Sequence, residues 1–303
     1  MMIAQVLFPL FALIFAPLLL GIINRTKAIV AGRVGYPLLQ PYYDIGKLVQ
    51  KGAVYSRTTT WVFRAGPVVS FGAMLMALTL VPFGGTPALV AFPGDFVLFA
   101  YLLGLARFFT VIAALDTGSG FEGMGASREV TFSALAEPAL FLGLAAVARQ
   151  TQTFSLSLMF PNMTTESWTH AGPALILIAA AFLVVFLTEN ARIPIDDPTT
   201  HLELTMIHEV MVLDYSGPDF AFIMYSSAVK LWLLGTLLVS LLAPVHSGTL
   251  WLDMTAMAAG MVGLAVCTGL IESSMARVRL LRVPQLLVGA TVLATLALVL
   301  VMR

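Results

Sequence analysis

The sequence predicts an all-α, polytopic membrane protein with about eight transmembrane helices and an amphipathic helix in its first loop. Three observations carry this. Of 303 residues, 59% are hydrophobic and only 11% are charged. The mean hydropathy is +0.94. Eight apolar runs are each long enough to cross ~30 Å of hydrocarbon at ~1.5 Å per residue. A net charge of zero leaves no basic patch to neutralise a nucleic-acid backbone. The one cysteine, Cys267, lies in an apolar run and cannot build a zinc or iron–sulfur site, which needs several clustered ligands.

The runs are 2–23, 63–83, 94–115, 131–149, 172–189, 219–243, 251–272 and 283–302, in a single membrane domain over 1–303. The first lacks a basic leading segment and a small-x-small cleavage pattern, so it reads as a retained span rather than a signal peptide. Pro67, Pro93, Pro173, Pro218 and Pro284 stand near span starts, where a missing N–H costs little. Nearly all Lys and Arg fall in the loops 24–62, 116–130, 190–218 and 273–282. By the positive-inside rule these loops are cytoplasmic and both termini lie outside. In the first of them, LLQPYYDIGKLVQKG has the spacing of an amphipathic helix with Lys47 and Lys51 toward water. No internal repeat of the secondary-transporter kind is visible.

Ionisable residues inside the spans mark candidate function. Arg107 and Lys230 fall near the middles of spans three and six, and Glu137 lies two turns into span four. Glu189 and Glu272 close spans five and seven. A charge at such depth costs roughly 2.5–3.5 kcal/mol on insertion scales unless it is paired or hydrated. Structural pairing with Arg107 and Lys230, and a hydrated proton path through the carboxylates, both remain open. Their gathering toward one side favours the path.

The densest stretch is LTENARIPIDDPTTHLELTMIHEVMVLDYSG, 187–217. It carries Glu189, Asp196, Asp197, Glu203, Glu209 and Asp214, with His201 and His208 among them. Wound as a helix over 199–213, it puts His201, Thr205, His208 and Glu209 in one polar sector and Glu203 opposite, among Met206, Ile207 and Val210. A carboxylate on an apolar face has a raised pKa or meets a partner, and a proton relay needs such a group. His208-Glu209 opens like a zincin pair, but position 212 is Val, so the second ligand is absent and the pattern counts against a zinc hydrolase. The glycine-bearing stretch 115–129, LDTGSGFEGMGASRE, has no Gly-Lys-Ser/Thr and reads as a tight turn rather than a phosphate loop, with Ser127 capping span four. Asp116, Glu122, Arg128 and Glu129 would then form a charged surface at the mouth of the carboxylate cluster.

These segments resemble a known family. LLQPYYDIGKL (38–48), ALDTGSGFEGMGASRE (114–129) with Glu137, ENARIPIDDP (189–198), HLEL (201–204), DYSG (214–217) and ESSMARVRLLRVPQLL (272–287) are similar to the eight-helix membrane subunit beside the quinone site of respiratory complex I. They also resemble its relatives in group 4 [NiFe] hydrogenases. The shortened GRVGYPLLQ (32–40) and Thr199-Thr200-His201, where complex I carries glutamates, point to the hydrogenase-4 and formate-hydrogenlyase branch and count against a quinone site. The resemblance implies a subunit of a prokaryotic inner-membrane complex that binds no redox centre itself. The nickel–iron centre and iron–sulfur clusters would sit in partners: hydrogenase large and small subunits and a ferredoxin-like subunit, with antiporter-like membrane subunits alongside.

On that resemblance the proton relay is Glu137, Glu189, Glu203, Glu209, Asp214 and Glu272, with Arg107, Arg128, Lys230 and Arg192 as charge partners. Asp116, Glu122, Glu129, Asp196, Asp197, Arg277, Arg279 and Arg282 would dock the cytoplasmic arm. The rivals are a quinone-reactive subunit, a stand-alone ion transporter and a purely structural anchor.

Overall fold

The computed structural model describes residues 2–196, 206–244 and 247–302. Asp197, His201, Glu203 and Thr205 therefore lie outside the described residues. Among the described residues the regular structure is helical, with one isolated bridge between Phe83 and Thr86. Eight helices are long and apolar enough to cross a membrane. They are α1 (Met2–Val30), α3 (Trp61–Leu78), α4 (Asp95–Asp116), α5 (Gly120–Thr151), α7 (Thr165–Glu189), α8 (Gly217–Leu242), α9 (Leu250–Ser274) and α10 (Val283–Val301). The short helices α2 (Gln40–Val49) and α6 (Leu156–Met159) and 3-10 turns at Glu209–Val212 and Leu280–Arg282 complete the order.

The spans pack as α3 on α4, α10 on both α5 and α7, and α1 on α9, with α8 threaded among α1, α3, α7 and α9. Small residues let the backbones approach, as is usual where lipid gives no hydrophobic drive to association. Ala16, Ala77, Ala139, Ala146, Ala181, Ala228 and Ala294 are all fully buried. Larger side chains fill the remainder: Phe11 and Phe83 ring centroids lie 5.8 and 5.5 Å from Trp232, one edge-on and one stacked.

The first loop folds back along α1. The Leu38 carbonyl lies where a Cβ on Gly21 would come within 2.0 Å, so only glycine fits there. The amphipathic α2 packs on α1 and α8, with Pro41 buried, the Tyr42 hydroxyl donating to the Ile14 carbonyl and Lys47 exposed.

Two expected elements differ. The start of span four was expected at 131, but α5 begins at Gly120, and Ser127 is an interior residue whose hydroxyl donates to the Met124 carbonyl. The glycines are in the helix because a segment packs on them. A Cβ on Gly125 would meet Val210 Cγ1 at 2.3 Å and the Ile207 carbonyl at 3.0 Å. The helix expected over 199–213 is, in its described part, a bend followed by the 3-10 turn Glu209–Val212. The Asp196 carboxylate takes the Ile207 and His208 amides, both at 3.1 Å, which an α-helix there would have spent on its own carbonyls.

A charge chain from the basic loops to mid-span

Arg107, midway along α4, is the hub. Nη1 donates to Glu137 Oε1 and Nη2 to Glu189 Oε1, each at 2.5 Å, and Nε lies 3.3 Å from Glu129 Oε1. One guanidinium thus faces carboxylates from α5 and α7. Its fork geometry suits this: two separate N–H groups donate to Glu137 and Glu189, while Nε faces Glu129 without a hydrogen bond. Lys230 on α8 adds a second cation, 3.6 Å from Glu189 Oε2. Ser133, one turn beyond Glu129, donates to the Glu129 backbone carbonyl at 2.5 Å, with the carboxylate oxygen 3.3 Å away.

The chain continues out of the spans through His208. Nε2 lies 3.0 Å from Glu129 Oε2 and Nδ1 3.4 Å from Asp196 Oδ2. Arg277 Nη2 then reaches Asp196 Oδ1 at 3.0 Å. Among the described residues, this connected set holds four cations against four carboxylates when His208 is protonated; with His208 neutral it is one cation short. Burial pushes the imidazole toward its neutral form, but Glu129 and Asp196 prevail and hold its pKa up at about 9. Burial likewise opposes ionisation of Asp196, yet His208 and Arg277 keep that carboxyl below its usual range. Both contacts therefore favour the charged pair.

A second knot ties the α9 end. Glu272, its side chain fully buried, pairs with Lys27 on α1 at 2.7 Å and with Arg192 at 3.4 Å. Between the two knots lies a cavity of about 710 Å³, bounded by α1, α2, α4 and α8 and lined by Gln40, Asp44, Arg107, Arg192, His208 and Lys230.

The expected relay residues divide. Glu137 and Glu189 meet at Arg107, and Glu272 sits in its own knot with Arg192. Glu209 and Asp214 are exposed, and Glu203 is outside the described residues. Arg128 donates to the Met206 carbonyl at 2.9 Å, pinning the same segment that carries His208.

Three residues expected on a docking surface are instead interior: Glu122, Glu129 and Asp196 are 1%, 5% and 1% exposed. The early start of α5 turns Glu122 and Glu129 inward, where Glu122 accepts the Asp214 amide at 3.2 Å. Asp116 caps α3, accepting the Thr60 amide at 2.7 Å. Arg277 is half-buried on Asp196, and Arg279 and Arg282 are exposed. Asp197 lies outside the described residues.

Sequence reasoning did not assign Glu129 or His208 to the chain. A signal was present: wound from 120, the residues Glu122, Gly125, Ala126, Glu129 and Ser133 recur at helical spacing and share a face.

Residues 2–303 match the NADH dehydrogenase family. The chain is 32% identical to formate hydrogenlyase subunit 4 of Escherichia coli (strain K12), covering 91% of this chain and 92% of that one. It is also 32% identical to hydrogenase-4 component C of the same organism, over 77% of this chain and 72% of that one. One subunit of the NADH-quinone oxidoreductase of Syntrophotalea carbinolica is similar at 26% identity, over 72% of this chain and 69% of that one. In fold, the chain superposes on a chain of the membrane-bound sulfane sulfur reductase, an archaeal respiratory membrane complex. The TM-score is 0.83 at 20% identity, covering 98% of each chain. The chain belongs to the NADH dehydrogenase family, as a multi-pass membrane subunit similar to formate hydrogenlyase subunit 4 and hydrogenase-4 component C.

Proposed function

We propose that this chain is the membrane anchor and ion-coupling subunit of a membrane-bound [NiFe] hydrogenase complex of the formate hydrogenlyase or hydrogenase-4 kind. The hydrogenase subunits and a ferredoxin-like subunit would dock on the basic loops, which face the cytoplasm, and antiporter-like subunits would adjoin it in the bilayer. The single observation that carries the coupling is the unbroken chain Arg277–Asp196–His208–Glu129–Arg107–Glu137. It runs from a loop that an arm could move to a carboxylate in mid-span.

His208 is the joint. Charge or motion imposed at the Asp196 loop changes which carboxylate holds the imidazolium. Glu129 then shares more or less of Arg107 with Glu189 and Glu137, and a change at one of several close carboxylates shifts proton affinity at the others. The test is a tag on this chain, followed by metal and subunit analysis of the purified complex. Nickel in step with the chain, with iron and iron–sulfur proteins, is the expected result. A chain that comes down alone would point to a stand-alone transporter and end this reading.

The cavity favours a second reading, a quinone-reactive subunit, because about 710 Å³ lies within the ~300–1,000 Å³ of small-molecule sites. Quinone and flavin in the purified complex, without nickel, would select it.

A further inference from the structure

The last span begins in a tight turn that leaves two charges unpaired. Its apolar window opens at Leu280, and the 3-10 turn Leu280–Arg282 runs directly into α10. The Arg282 amide donates to the Arg279 carbonyl at 2.8 Å, so two arginines leave from either end of one turn. Both are exposed, and among the described residues neither guanidinium has an ion pair or a hydrogen bond. The carboxylates of the adjoining segments are spent elsewhere, Glu272 on Lys27 and Arg192, Asp196 on Arg277 and His208. Between the two arginines Leu281 is 89% exposed, the most of any large apolar side chain described. It also heads a stripe. Positions 281, 285, 288, 292, 296 and 299 recur every three or four residues and are all exposed. Beyond Gln285 the exposed positions of α10 are valines, leucines, Gly289 and Thr295, whose hydroxyl donates to the Thr291 carbonyl. From 288 to 300 that apolar face runs ~18 Å at ~1.5 Å per residue, more than one leaflet of a ~30 Å hydrocarbon layer. The order along it is cationic, then amide, then apolar, which is the order of a phospholipid from phosphate through ester to acyl chain.

We infer that the turn at 279–282 and the α10 stripe below it bind one anionic phospholipid, with its phosphate on Arg279 and Arg282 and an acyl chain along Val288, Val292 and Leu296. Guanidinium forks match phosphate oxygens, and a headgroup of net negative charge relieves two like charges that the protein leaves uncompensated. A zwitterionic headgroup brings its own ammonium to the phosphate and gains less. Leu281 enters the upper methylenes while the flanking arginines stay at headgroup level. Continuity selects the occupant. An extrinsic subunit reaches the arginines but not the stripe, and free phosphate leaves Leu281 and the stripe bare. The inference uses only the membrane span and its first turn, so it holds whichever complex the chain serves. It takes Arg279 and Arg282 out of the docking surface expected from the sequence.

The experiment uses the intact tagged complex in phosphatidylcholine vesicles that carry a tracer with a photoreactive acyl chain, either phosphatidylglycerol or phosphatidylcholine. The phosphatidylglycerol tracer should label α10 between 285 and 299. Arg279→Gln/Arg282→Gln should cut that labelling on the order of tenfold, as the loss of two phosphate contacts implies. Arg33→Gln, which removes an exposed arginine of the first loop, should leave it unchanged. Equal labelling by the phosphatidylcholine tracer, or labelling that survives the double variant, overturns the inference. So does competition by inorganic phosphate beyond that of chloride at equal ionic strength, which would mark a site for the free anion. As an independent measurement that keeps both arginines, a benzophenone amino acid at position 281 in native membranes should give an adduct of phospholipid mass. A protein adduct there, with an extrinsic or a membrane subunit, overturns the inference.

Discussion

His208 Nε2 stands 3.0 Å from Glu129 Oε2, so a loop segment is joined by an ion pair to a carboxylate within a span. The joint is asymmetric in consequence. Glutamine at 208 could donate to one carboxylate but not to both, and it carries no charge. His208→Gln should cost roughly 1–3 kcal/mol, the range for a buried acceptor left short of a donor. It should also lower ion translocation in inverted vesicles while dye-linked hydrogen chemistry in the docked arm persists. Thermal inactivation of the purified complex and vesicle acidification measure the two effects. Wild-type behaviour in both would remove His208 from the mechanism.

The same joint sets a pH dependence. The imidazole pKa rises from 6.5 to about 9 on folding, so its contribution is complete below about 6.5 and is lost as pH climbs through about 9. Asp196 has the opposite sign. Its folded pKa lies below 3.8, so its contribution is present above that value and disappears on further acidification. Thermal half-life should therefore fall between pH 6.5 and 9, and His208→Gln should flatten that slope. An unchanged slope in the variant would place the alkaline loss elsewhere.

Arg107→Met removes the group that three carboxylates share. Breaking a buried pair by deleting one partner costs roughly 3–5 kcal/mol, because the remaining charge stays buried. The variant chain should accumulate poorly in membranes. The double variant Arg107→Met/Glu189→Gln should recover part of the loss, since Glu189 is nearly fully buried and loses its own charge. Membrane-fraction immunoblots of the single and double variants give the comparison.

Gly125→Val tests the packing that places His208. Its Cβ would sit 2.3 Å from Val210 Cγ1, which can turn aside, but also 3.0 Å from the Ile207 carbonyl, which is backbone and cannot. Displacing the 206–212 segment should cost roughly 1–3 kcal/mol of overpacking strain and separate His208 from Glu129. The alkaline stability slope should flatten as it does in His208→Gln. A Gly125→Val complex with lowered stability but an intact slope would show that the segment tolerates the shift.

Eight spans were legible because a bilayer selects on length and hydropathy, and neither depends on which helix a residue touches. Arg107 and Lys230 were legible for the same reason: their depth follows from position in an apolar run. The start of α5 was not. Gly118, Gly120, Gly123 and Gly125 read locally as a turn, yet only Gly118 of the four has a left-handed backbone, with φ +72, while Gly125 is used for close approach within the helix. The expected helix over 199–213 gave way, in its described part, to a side chain that competes for the same amides, that of Asp196.

What the sequence determined by itself is a property of each residue against its solvent: which runs enter lipid, which charges lie deep, and which loops stay polar. The tertiary structure alone decided the pairings. Ion pairs act over a few ångströms and join residues as far apart as Arg107 and Glu189, or Asp196 and Arg277. No periodicity along the chain encodes such a meeting, because it is set by how α4, α5 and α7 and the loop around Asp196 and His208 come to share one space.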